Sequence, residues 1–485
     1  MKKLVLLLSL LLTLLLCTVA HATGDIAINE TNFPDDVFRK HCLEQSWGED
    51  GVLSQDDVSK IDRLDIYGWM NDPKISSLVG IQHFTALEEL YCYNNQLTTL
   101  DLSGLTALKE LRCYSNQLTT LKLNGLTNLT YLDCEDNQLT TLDLSGLTKL
   151  TNFRCDDNQL TTLDLSGLTN LKYVFCDRNQ LTTLKLNGLI NLVNLRCVKN
   201  QLTTLDVADL TALKQMSVSD NQLTTLDVSG LTNLSYLVCE DNKLTTLDVS
   251  RLNLLETLYC ENNQITTLDV TILEQLRYLT CYNNQITALD VTNLERLEWL
   301  FCYNNQIPTL DVSRLTNLRE FSCHDNQLTT LDLSNRRLYS AKFTPQSRAT
   351  ATLTKINANT WTLPLTNLVP LAKLSEVHDL VSPTHTVTID GAGLVTLTGN
   401  TTMPTELNYQ HDVTYYSTRD RVMKEEPMYV TLSLGLAPVP TPVPTPTPVP
   451  TPPTTGDNTH LGLFALLAVA SLVGLVVVRK KVHNK

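Results

Sequence analysis

Several things are scarce in this 485-residue chain. Lys and Arg number 37 against 51 Asp and Glu, a formal charge of −14, and the basic residues cluster only at the two ends. A nucleic-acid binder needs a basic patch or stripe, so no nucleic-acid partner is expected. The nine histidines are scattered, and no C-x-x-C pair occurs among the 13 cysteines. Zinc and iron–sulfur sites need thiolates converging at such short spacings, so neither a metal nor any other cofactor is expected. Aromatic residues make up only 6% of the chain, so a local crowd of them stands out.

What the chain has instead is repetition. The unit Leu129-Thr-Tyr-Leu132-Asp-Cys134-Glu-Asp-Asn137-Gln-Leu139-Thr-Thr-Leu142-Asp-Leu144-Ser-Gly-Leu147-Thr-Lys recurs from about Leu87 to Asn335. Its asparagines keep one unvarying spacing, Asn95, Asn116, Asn137, Asn158 and onward to Asn326, giving twelve full units. A short fixed period of this kind signals a stacked array. The pattern L-x-x-L-x-C-x-x-N-x-L resembles the leucine-rich repeat, with Cys in the third apolar slot.

The residue types explain the pattern. Leu132 and Cys134 alternate with Tyr131, Asp133 and Glu135, which predicts a short strand with one buried face. One unit cannot bury its leucines alone; stacking pairs the strands in parallel and fuses the leucines into a core. Twelve rungs about 4.8 Å apart make a sheet roughly 55 Å long. The chain must then turn inside that core, and an Asn amide carries both donors and an acceptor for the backbone groups left bare. Twelve identical asparagines therefore read as structural. The cysteines form a second ladder from Cys92 to Cys323, with Val218 in its one gap. That valine marks the slot as one for a small apolar body, which a free thiol supplies. Disulfides between neighbouring rungs are the alternative, but parallel side chains hold the Cβ atoms too far apart.

The flanks differ in texture. Residues 1–22 read as a secretory signal, with Lys2 and Lys3, the apolar run Leu4 to Leu16, and the small-x-small site Ala20-His21-Ala22. Residues 23–60 read as a small helical cap: a helix over Pro34 to Gln45 started by Asn32, then a loop with the outline of an EF-hand. Ser46 and Gly48 stand where calcium ligands belong, so the loop is expected to be a relic turn, with Ser54 and Asp57 as a capping box for a second helix. Residues 61–335 hold the repeats. Residues 336–436 carry short alternating segments (Ala349–Lys355, Trp361–Leu365, Thr384–Asp390, Leu394–Thr398, Glu406–Gln410 and Met428–Leu434) that predict a β-sandwich-like module. The fold expected is thus an α/β-type repeat solenoid, with parallel strands on its concave face and a mostly extended, irregular convex side. A helical N-terminal cap and a C-terminal all-β module complete it.

Only the outward positions of the concave strands can vary without harming the core, so function is sought there. Glu135, Asp156 and Asp177 form one column, with Arg112, Arg154 and Arg196 on alternate rungs of the next. The acidic column is read as a solvated face balanced by the arginines; a cation site or a hydrolytic carboxylate pair is the other reading. The late rungs gather Tyr259, Tyr278, Tyr282, Trp299, Phe301 and Tyr303. These six are the candidate ligand-binding residues, since clustered exposed aromatics make docking hot spots for proteins or sugars. Aromatics also suit strand surfaces for packing alone.

Residues 437–455 form a Pro-rich stalk and motif, which at about 3.1 Å per residue spans roughly 50 Å as polyproline II. Residues 456–485 hold an apolar span, 461–478, and the basic tail Arg479-Lys480-Lys481, enough to cross a bilayer and keep that end inside. This order resembles a Gram-positive cell-wall sorting signal. The resemblance implies that a sortase cuts between Thr455 and Gly456, after Pro453, and joins the threonine to peptidoglycan. Pro452 stands where that signal usually has Leu; without a sortase the span is a plain membrane anchor. Taken together, the chain is similar to internalin-like leucine-rich-repeat surface proteins of Gram-positive bacteria. That likeness implies a surface-anchored, non-enzymatic protein that binds a protein ligand on a host or neighbouring cell. A glycan-binding surface protein or a structural wall spacer is the alternative. The internalin repeat is usually slightly longer than this one and has Leu in the Cys slot, so no particular partner carries over.

Overall fold

The computed structural model describes residues 24–436, except 70–71, 334–335, 345, 358, 366–376, 400–401, 405, 418 and 420–421. All of these belong to one unit, Met1–Ala437. The expected signal segment, the stalk, the sorting motif Pro453, Thr455 and Gly456, and the span 461–478 lie outside the described residues. Among the described residues no helix is long and apolar enough to cross a membrane.

Each rung contributes a strand of three residues, and the strands pair in parallel with an unbroken register of one rung. Leu111 sits against Leu132, Leu132 against Phe153, and Leu237 against Leu258. Among the described residues fourteen such strands make one sheet, from Arg63–Asp65 to Ser340–Lys342. The inward positions do what the alternation predicts: Leu129, Leu132, Cys134 and Leu139 are fully buried. The convex side is extended, with short parallel pairs such as Thr99–Asp101 against Thr120–Lys122 and Thr162–Asp164 against Thr183–Lys185. The structure is therefore the expected leucine-rich-repeat solenoid.

The asparagine ladder is realised rung by rung. Asn158 Nδ2 donates to the carbonyls of Cys155 at 3.2 Å and, on the preceding rung, Cys134 at 2.9 Å; its Oδ1 accepts from the Leu139 N–H at 2.9 Å. Just before each asparagine lies a residue with φ between 50° and 56°, from Asn94 to Asp325. Asn or Asp fills most of these sites, because their short polar side chains tolerate the left-handed region best. The twelve described cysteines are free and buried. Burial pushes the Cys92 thiol up to about 12, so the ladder is chemically quiet.

Both ends depart from the rung pattern. At the N-terminus, helix α1 (Asp36–Leu43) is capped by Asp35, which accepts from the N–H groups of Val37 and Phe38. Asn32, expected as the cap, instead donates to the Ala27 carbonyl at 2.9 Å. The reason is reach: the other Asp35 oxygen also accepts from the Ser76 N–H and Oγ at 2.8 and 2.7 Å, locking the cap to the first rungs. Helix α2 (Gln55–Lys60) starts with the expected capping box of Ser54 and Asp57. Asp57 is thereby engaged as a cap, as the relic-turn reading requires. Gly80, at φ 109°, lies so close to the cap that a Cβ there would fall 2.5 Å from the Phe33 ring.

At the C-terminus the repeats run past Asn335. Strand Ser340–Lys342 pairs with Glu320–Ser322, and Gln346 takes the ladder position. Its Oε1 accepts from the Leu328 N–H at 3.1 Å and its Nε2 donates to the Cys323 carbonyl at 2.8 Å. A glutamine one methylene longer disguises that last rung in sequence. Among the described residues the module beyond is all-β and mostly antiparallel. Gln346–Asn357 lies parallel to Val422–Leu436 at its start and antiparallel to Thr360–Pro364 at its end. All six expected segments overlap strands, and among the described residues Arg337–Leu338 and Val377–Val381 add two more to the same sheet. Tyr409 Oη donates to the Thr329 carbonyl at 3.1 Å, tying the module to the last rungs.

Candidate functional site

The concave face carries three columns of outward side chains. The first runs from Glu89 through Tyr278 and Trp299, the second from Tyr91 through Tyr259 and Phe301, and the third from Tyr93 through Tyr282 and Tyr303. Strand spacing of about 4.8 Å sets neighbours within each column in contact. Tyr278 and Trp299 are register partners, edge to face with centroids 5.1 Å apart. Trp299 also lies against Phe301 at 6.2 Å. Tyr282 stacks on Tyr303 at 4.3 Å, and Tyr303 on His324 at 4.4 Å. Five of the six expected residues thus form two adjoining groups. The sixth, Tyr259, packs one rung back against Tyr236 at 6.4 Å. All six are half-buried. They support one another as strand-surface packing predicts, yet keep area open to solvent. Beside them a cleft of about 750 Å³ is lined by Tyr278, Glu298, Trp299, Arg319, Arg337 and Tyr339.

His324 and Tyr236 extend these groups and carry a sequence signal, since each falls in register with the repeat at an outward column position. A second aromatic stack stands at the other end, where Tyr67, Tyr93 and Tyr114 lie in parallel with centroids 4.8 and 4.4 Å apart.

The acidic column differs from expectation in one respect. It is balanced by arginine: Arg196 pairs with Asp177 at 2.6 Å, Arg154 pairs with Glu135, and Arg178 with Asp157 at 3.1 Å. It is not, however, a solvated face. Asp156 and Asp177 are only 6% and 7% exposed, at the floor of a cleft of about 300 Å³. Crowding explains this, because Arg154 and Phe175 on the middle column lie over the floor, guanidinium to ring at 5.6 Å. Burial, reinforced by the charge of Asp177, raises Asp156 to about 6. Among the described residues no three His, Cys, Asp or Glu side chains converge as a metal would require.

A different acidic pair lies between the aromatic groups and was not singled out in the sequence. Glu240 and Glu261 follow each other in the third column and meet at hydrogen-bond range. Thr280 Oγ1 donates to Glu261, which is 6% exposed. Among the described residues no arginine or lysine pairs with either, in contrast to the acids of the middle rungs. Burial, then the adjoining Glu261 and Asp220, push Glu240 up to about 7.

Known proteins agree with this architecture. Sequence profiles for leucine-rich repeats match residues 85–126, as two copies, and 128–150. A comparison with curated protein sequences finds no match. Among solved structures, the functional domain of InlJ from Listeria monocytogenes, which includes a cysteine ladder, is 26% identical with a TM-score of 0.54. The match covers 85% of this chain and 99% of that one. The internalin InlF from Listeria monocytogenes is 28% identical with a TM-score of 0.54, over 67% of this chain and 99% of that one. A TDR receptor, 22% identical with a TM-score of 0.51 over 60% of this chain and 57% of its own, shares the fold. Repeats, cysteine ladder and likeness to Listeria internalins together support an internalin-like leucine-rich-repeat protein.

Proposed function

We propose that the chain is a surface-anchored, non-catalytic leucine-rich-repeat protein whose concave face binds a protein ligand, in adhesion or in contact with a host or neighbouring cell. The observation that carries this reading is the late-rung aromatic surface. Tyr278, Trp299 and Phe301 on one side and Tyr282 and Tyr303 on the other form rigid, half-buried anchors on a preformed face, with the buried His324 ending the second stack. Such side chains lose little conformational freedom on docking, and a few of them carry most of an interface's energy. Stacking consumes part of each ring but leaves the edges and outer faces for a partner. Capture of the ligand from a host- or neighbour-cell surface preparation should weaken at least tenfold in Trp299→Ala with Tyr303→Ala. Unchanged capture by the double variant would remove the aromatic surface from the account.

The cleft lined by Tyr278, Trp299 and Tyr339 favours a sugar as the second reading, since ring faces and Arg, Glu and Asn groups side by side suit a glycan. A glycan array with the same double variant separates the two ligand classes. Anchoring rests on Pro453, Thr455 and Gly456 followed by residues 461–478 and the basic tail, with a sortase and peptidoglycan as partners. The form released from the wall should end at Thr455 by mass spectrometry. An intact C-terminus would leave a single-pass membrane anchor with an extracellular N-terminal part.

A further inference from the structure

The cleft beside the aromatic groups has an arginine to spare. Its rim is a column of side chains one residue ahead of each strand, with Arg277, Glu298, Arg319 and Tyr339 on successive rungs. The N–H of each bonds to the carbonyl of the one before, at 2.8, 2.8 and 2.6 Å. Glu298 is largely buried, and its Oε1 accepts from both Nε and Nη2 of Arg277 at 2.9 and 2.5 Å. Arg319 comes only to 3.8 Å from the other oxygen of that carboxylate, beyond hydrogen-bond range, and its side chain is 69% exposed. Among the described residues it has no other side-chain partner. The next rung offers no second acid. Tyr339 stands there, 53% exposed, and lines the cleft instead. The floor is the first concave column, where Tyr278, Trp299 and Glu320 follow in register. The exposed Arg337 and Asn317 complete the lining.

Each group suits a different part of one ligand. A guanidinium with open donors presents a planar fork that matches a carboxylate. The Glu320 carboxylate and the Asn317 amide oxygen accept from hydroxyl groups. Tyr278, Trp299 and Tyr339 offer ring surface to the apolar faces of a pyranose. At about 750 Å³ the cleft has the size of a small-ligand site. A neutral sugar would leave Arg319 unused, and an acidic peptide would set its carboxylates against Glu320. We propose that the cleft receives an acidic sugar residue, a uronate or a sialate, with its carboxylate on Arg319 and its hydroxyls on Glu320. The inference rests on the sugar reading of this cleft given above and adds a chemical requirement to it: the glycan carries a carboxylate.

The test uses the full chain with sialyllactose and a hyaluronan tetrasaccharide as probes, each beside its carboxyl-reduced form. The unaltered protein should bind one of the acids about tenfold more tightly than its reduced form, the effect of one charge-assisted hydrogen bond. That comparison needs no variant. Which acid is preferred separates a sialate from a uronate. Arg319→Gln should bind the acid and its reduced form alike. A control on an exposed convex turn, Arg251→Gln, should keep the full preference. Equal binding of acid and reduced form by the unaltered protein, or a preference that survives Arg319→Gln, would overturn the proposal and leave the sugar reading standing. Binding of neither the acids nor the reduced forms would remove both. Tighter binding of hexaglutamate than of either sugar would assign Arg319 to an acidic segment of a protein ligand and overturn the proposal too.

Discussion

Asn200→Ala should lower stability by about 3–5 kcal/mol, read as a shift of the denaturant midpoint. Asn200 is 8% exposed and serves two rungs at once. Its Nδ2 donates to the carbonyls of Cys176 at 3.0 Å, Cys197 at 3.2 Å and Val198 at 3.3 Å, and its Oδ1 accepts from the Leu181 N–H at 3.0 Å. Alanine removes all of these: the Leu181 N–H is left bare in a dry core, at about 1–3 kcal/mol, and the carbonyls of Cys176, Cys197 and Val198 each lose one bond, keeping Asn179, Asn221 and the Arg178 N–H. Asn200→Asp should be no milder at neutral pH, because a carboxylate would turn acceptor oxygens toward three carbonyls. A cost below about 1 kcal/mol for alanine would mean that water replaces the amide. Position matters as well: a rung touches only its neighbours, so damage at a central rung uncouples the two halves of the array.

The cysteine ladder offers the second large effect, through a contrast between two substitutions. Cys197 is fully buried, and the next position in its ladder is already a valine, Val218. Cys197→Val should therefore cost about 1 kcal/mol or less, whereas Cys197→Ser should cost about 2–3 kcal/mol by burying a hydroxyl. Cys134 and Cys176 are poorer sites for this test, since their Sγ atoms lie 3.3 Å from the carbonyls of Arg154 and Arg196, where a serine hydroxyl could bond. Equal costs for Val and Ser, measured by denaturant unfolding, would show that the slot is not selecting a small apolar body.

Most of the fold could be read in advance because one period controls it. Once Leu132 and Cys134 are assigned inward and Asn137 to the turn, every other rung follows by adding the repeat length. What escaped reading lies where the period gives no guide. The Asp35 cap depends on Ser76, far along the chain, and Gln346 stands in for an asparagine outside the register. The concave face was legible as a list of residues but not as an environment. Sequence places Asp156 outward; only packing under Arg154 and Phe175 shows that outward there still means buried. Glu240 and Glu261 are not singled out by the sequence, and their lack of a basic partner emerges only when the columns are laid side by side.

Near-identity between rungs also bears on how the chain threads itself. Pairs such as Leu195 with Met216 and Leu237 with Leu258 present almost the same outline. A rung docking on the second one back, instead of its immediate predecessor, would find a nearly matching surface and leave a whole repeat looped out. Closing a loop of that length costs little more than closing a shorter one, so the misthreaded chain forfeits roughly a single interface. The contacts of Phe33 with Gly80 and of Tyr409 with Thr329 mark where counting begins and ends, but not how many steps lie between. Synthesis from the N-terminus supplies the missing proofreading, because each rung can cover its predecessor's open face before the next one leaves the ribosome.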